Sequence, residues 1–72
     1  MTRLIKRSFS LARHRTSVAL EAEFWAVLME LAEQRQQSLS ALVASADAER
    51  DPQQPLASAL RLLALRTALA SR

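Results

Sequence analysis

The sequence predicts a small, mostly α-helical domain with one β-strand ahead of its helices, folding by association with a second copy of itself. Three observations lead there. Apolar residues alternate with a period of two up to Leu20 and recur every three or four residues after it. Ser38 and the segment Asp51-Pro52-Gln53-Gln54-Pro55 divide the remainder into helices of ordinary length. At 72 residues, with no Cys and one His, the chain has neither a disulfide nor a metal site to support a marginal core, and association is the remaining route.

Residues 1–12 read as a basic leader and residues 13–50 as the folded core. The strand runs from Arg15 to Leu20, with Thr16, Val18 and Leu20 facing a core and Arg15, Ser17 and Ala19 facing outward. Ser8 to Leu11 alternates more weakly. A lone strand of this length is not stable unpaired, so the expected partner is the same strand of a second subunit.

After Leu20 comes an amphipathic helix, roughly Ala22 to Arg35, carried by Phe24, Leu28 and Leu31 with Trp25, Val27 and Ala32 beside them. Glu21 and Glu23 complement the dipole at its start and Arg35 at its end. The chain contains no Gly, so the turn that follows must either hold Gln36 left-handed or close by another geometry. Ser38 is a good N-cap for a second helix, Leu39 to Glu49, whose buried face is Leu39, Leu42, Val43 and Ala46.

Residues 51–72 form a Pro-containing linker and a third helix, Leu56 to Ala70. Leu56, Leu60, Leu62, Leu63, Leu65 and Leu69 give this helix a wide apolar arc, interrupted only by Arg61 and Arg66 among charged residues. Such a helix is expected to be buried on most sides, against a dimer core or further subunits.

The net charge of +3 is unevenly spread: Arg3, Lys6, Arg7, Arg13 and Arg15 fall within the first fifteen residues, which hold no acid. That segregation points to a polyanionic partner, either nucleic acid or an anionic membrane surface. Half of the residues are hydrophobic, too many for a disordered tail, yet no apolar run approaches the roughly 18 residues of a membrane span. The N-terminal stretch has no apolar run with a small-residue cleavage site of the secretory kind. The reading is a soluble, cytoplasmic protein.

Catalysis finds little support. Thr16 and Ser17, with Ser8 and Ser10 nearby, are ordinary strand residues, and His14 is the only partner for acid–base work. His14 also has no second His or Cys with which to hold a metal, so neither enzyme activity nor a cofactor is expected. Phe24 and Trp25 sit at helical spacing and read as core, not as a platform for stacked bases.

Arg15-Thr-Ser-Val-Ala-Leu-Glu21 running into Phe24-Trp-Ala-Val-Leu28, followed by Ser38-Leu-Ser-Ala-Leu-Val43, resembles the ribbon-helix-helix family of bacterial and phage DNA-binding proteins, the Arc and MetJ class. Lys6-Arg-Ser-Phe-Ser-Leu11 and His14-Arg-Thr-Ser-Val18 are similar to a subgroup of short bacterial members. The resemblance implies an intertwined homodimer whose two strands, one per subunit, form an antiparallel ribbon that enters the major groove. It implies base contacts from Arg15, Ser17, Ala19 and Arg13, and phosphate contacts from Lys6, Arg7, Ser38, Leu39 and Ser40. Thr16, Val18, Leu20, Phe24, Trp25, Leu28 and Leu42 would form the dimer core, and Leu56 to Ala70 a surface for higher assembly.

The resulting reading is a sequence-specific double-stranded-DNA-binding regulator, most simply a repressor, with no membrane partner. A DNA-binding antitoxin whose C-terminal segment wraps a toxin, and a scaffold protein using its basic leader on acidic lipid or protein, are the alternatives.

Overall fold

The computed structural model describes residues 3–12 and 14–71, running strand, strand, helix, helix, helix. Strand β1 (Leu4–Leu11) and strand β2 (His14–Glu21) pair antiparallel, from Leu4 opposite Glu21 to Leu11 opposite His14. This corrects the expectation of a single strand: a second strand of the same chain pairs with it. The physical reason is the inward side of β1. Phe9 and Leu11 are buried in the same apolar cluster as Val18 and Leu20, so the segment read as a basic leader forms a strand from Leu4 onward and adds two side chains to the core.

Helix α1 (Ala22–Gln34) follows β2 without a break and buries Trp25, Leu28, Leu31 and Ala32. It ends with Gln36 in the left-handed conformation, at φ 56°. The amide of Gln37 donates to the Ala32 carbonyl and that of Gln36 to the Glu33 carbonyl, both at 3.0 Å. These two bonds form a Schellman motif, which satisfies carbonyls that the helix end would leave open. Helix α2 (Leu39–Glu49) then starts at Ser38, whose Oγ accepts from the Ala41 amide at 3.0 Å.

Helix α3 (Leu56–Ala70) begins directly after Pro55, at the boundary the sequence indicates, and lies against α1, α2 and β2. Within the single chain only part of its apolar arc is covered. Leu60 and Ala64 are enclosed and Leu56, Ala57 and Leu63 partly so, while Leu62, Leu65 and Leu69 stand 41%, 51% and 52% exposed. One chain offers only one side on which to cover the arc.

Among the described residues one cluster of buried side chains forms within the single chain. Val18, Leu20, Trp25, Leu28 and Leu42, expected at a dimer core, are buried here by residues of the same chain; Thr16 and Phe24 are partly buried. Among the described residues no helix is long and apolar enough to cross a membrane.

Candidate nucleic-acid interface

In an antiparallel ribbon, directly opposite residues share a face and successive residues alternate between faces. One face of the hairpin, with Phe9, Leu11, Val18 and Leu20, meets the helices. The other carries three successive pairs: Lys6 opposite Ala19, Ser8 opposite Ser17, and Ser10 opposite Arg15. All six side chains are exposed except that of Ala19, which is half-buried. The Ser8 and Ser17 hydroxyls hydrogen-bond across the strands at 3.0 Å.

Arg15, Ser17 and Ala19 thus lie together on the outward face, and β1 adds Lys6, Ser8 and Ser10, residues to which the sequence reading gave no place beside them. The missing signal was the pairing itself, which only the tertiary structure supplies. Arg13 lies outside the described residues. His14 is exposed at the first position of β2, opposite Leu11.

Lys6 and Arg7, expected to act alike, are divided between the faces. The Arg7 guanidinium carbon lies 5.5 Å from the centroid of the Trp25 ring, on the helix side of the hairpin. The same indole packs against Phe9 at a centroid distance of 5.9 Å and donates its Nε1–H to the Ile5 carbonyl at 2.8 Å. Trp25 therefore fixes β1 to α1 through a hydrogen bond, an aromatic contact and a cation–π contact.

The acid at the end of β2 is also accounted for. Glu21 Oε1 accepts from Arg61 Nη2 at 3.0 Å and from Arg61 Nε at 3.2 Å, and the Arg61 guanidinium lies 5.7 Å from the Phe24 ring centroid. The Glu21 carboxyl is held below the usual glutamate value chiefly by its own backbone amide, with desolvation opposing and Arg61 assisting. Because the folded value is the lower one, the contribution of this carboxylate to stability is present at neutral pH and lost on acidification through that range. Its charge is shared with α3 and does not stand free beside the cations of the ribbon.

At the start of α2, the Ser38 oxygen holds the Ala41 amide, and the amides of Leu39 and Ser40 are the open donors of that turn among the described residues. No acid occupies this first turn. Nor, among the described residues, do three or more His, Cys, Asp and Glu side chains cluster as a metal site would require.

The arrangement is one of recognition: a cationic, hydroxyl-bearing two-stranded face on a helical support. A family model described as the ribbon-helix-helix domain matches residues 4–68. The chain belongs to that family, whose members are DNA-binding domains of the transcription-regulator type. Comparison with curated proteins and with solved structures found no match.

Proposed function

We propose that this chain is a sequence-specific double-stranded-DNA-binding regulator, most simply a transcriptional repressor, which acts as a homodimer and places the outward face of its ribbon in the major groove. The observation that carries this reading is that face: Lys6, Ser8, Ser10, Arg15 and Ser17 exposed together, with the nearby Glu21 engaged by Arg61. A two-stranded ribbon has a strand spacing of about 4.8 Å and enters a groove about 12 Å wide.

Each residue then has a defined role. Arg15 offers the bidentate donor pair that suits guanine O6 and N7, Ser17 a hydroxyl that donates or accepts, and Ala19 a methyl contact. The amides of Leu39 and Ser40, with the Ser38 hydroxyl hydrogen, face a phosphate at the α2 N-terminus and set the register of the protein on the duplex. The Leu62, Leu65 and Leu69 stripe gives a second copy an apolar surface to cover.

Binding to duplex DNA and to anionic vesicles, compared over a salt series, tests this reading. Salt-sensitive retention on duplex DNA without comparable vesicle binding, together with discrete protected sites on genomic DNA, is the expected result. Vesicle binding with no affinity for duplexes would replace it with the scaffold reading.

A further inference from the structure

We infer that Lys6 is a base-reading residue, supplying from β1 the long polar side chain that β2 lacks at Ala19; this rests on the DNA-binding reading above. Lys6 and Ala19 are direct cross-strand partners on the outward face, where opposed Cβ atoms stand about 5 Å apart. Ala19 is half-buried and carries only a methyl group, whereas Lys6 is exposed and carries a cation on a four-carbon stem. The ammonium therefore covers the part of the groove floor that Ala19 cannot address, where guanine O6 and N7 accept a Lys donor.

Position separates this role from general attraction to phosphate. A cation on a mobile tail adds affinity for any duplex; one on a rigid element returns to the same place on each binding event. Lys6 is of the second kind. The residue before it, Ile5, has its carbonyl held by Trp25 Nε1 at 2.8 Å, and Phe9 and Leu11 further along the strand are buried in the core.

The geometry also says which base pairs are involved. The Lys6–Ala19 and Ser10–Arg15 pairs are two rows apart on the face, with the Ser8–Ser17 pair between them. At about 6.7 Å per row Lys6 and Arg15 are some 13 Å apart along the ribbon, close to four base-pair steps of about 3.4 Å. They should read different positions of the same half-site.

Arg7 is the control for charge, being the adjacent cation in sequence but directed at Trp25 on the opposite face. The test is selection from a randomised duplex pool at fixed salt with the wild-type chain, Lys6→Ala, Arg7→Ala and Arg15→Ala, each checked for native helix content by circular dichroism. Lys6→Ala should lose discrimination by about 5- to 150-fold at a base pair some four steps from the one lost in Arg15→Ala. Arg7→Ala should keep the whole motif. The inference is overturned if Lys6→Ala keeps every position of the motif and merely binds all duplexes more weakly. A wild-type chain that enriches no motif would remove the DNA-reading proposal itself, an outcome distinct from failure at Lys6 alone.

Discussion

Trp25 is the residue on which the pose of the hairpin depends. Its indole is almost fully enclosed, at 2% exposure, yet its one polar atom reaches the Ile5 carbonyl, as a buried Trp N–H ordinarily requires a partner. Trp25→Phe keeps most of the apolar contact with Phe9 and removes the donor, leaving a part-buried carbonyl without it. The expected loss is about 1 to 3 kcal/mol, read as a lower urea midpoint at unchanged slope. An unchanged midpoint would mean that water replaces the indole at no cost and that β1 is held by its apolar side chains alone. Phe24 and Trp25 are legible in the sequence as core residues from their helical spacing. That Arg7 would lie over Trp25 is not, because a cation on the inward side of a strand looks from sequence like a solvated charge.

At the scale of elements, the helices were readable because each carries its own punctuation. Ser38 caps α2 by accepting from Ala41, and Pro55 precedes the first residue of α3. The inward and outward sides of β2 follow from alternation alone: Val18 and Leu20 are buried, Arg15 and Ser17 exposed. In β1 the alternation is broken by Leu4 on the outward side and by Arg7 on the inward side between Ile5 and Phe9, so its uninterrupted part reduces to Phe9 and Leu11. Half of the candidate reading face was hidden for that reason.

The α1–α2 turn gives an element-scale prediction. Gln36 is exposed and occupies a left-handed conformation that disfavours any side chain with a Cβ, at a cost of roughly 1 kcal/mol. Gln36→Gly relieves this and partly offsets the gain through a more flexible unfolded chain, so it should stabilise by roughly 0.5 kcal/mol. Ser38→Ala, two residues later, removes the N-cap and should destabilise by about 1 kcal/mol. Opposite shifts in thermal or urea midpoints check the pair. A loss of stability in Gln36→Gly would show that the Gln36 side chain contributes more than its backbone conformation costs.

For the whole molecule, the internal hairpin changes how assembly and folding are related. The sequence reading made the dimer a condition of folding, since a lone strand and a small core could not stand alone. Among the described residues the single chain encloses twelve hydrophobic side chains, and its radius of gyration of 11.7 Å is close to the about 11 Å of a compact domain of this length. Dilution should therefore separate the proposed homodimer into folded chains, with the sedimentation coefficient falling while helix content persists. Simultaneous loss of association and helicity would show that the partner is part of the fold.

Arg15 tests most directly whether the outward face of the ribbon reads base pairs, as proposed, because its side chain stands exposed on that face. The measurement is the affinity of the wild-type chain and of Arg15→Ala for a duplex bearing the preferred site and for one lacking it, at one salt concentration. Arg15→Ala should weaken binding to the preferred site by about 1 to 3 kcal/mol and leave the other duplex nearly unaffected. Equal losses on both duplexes would make Arg15 a phosphate contact, and no loss on either would mean that this face of the ribbon does not meet DNA.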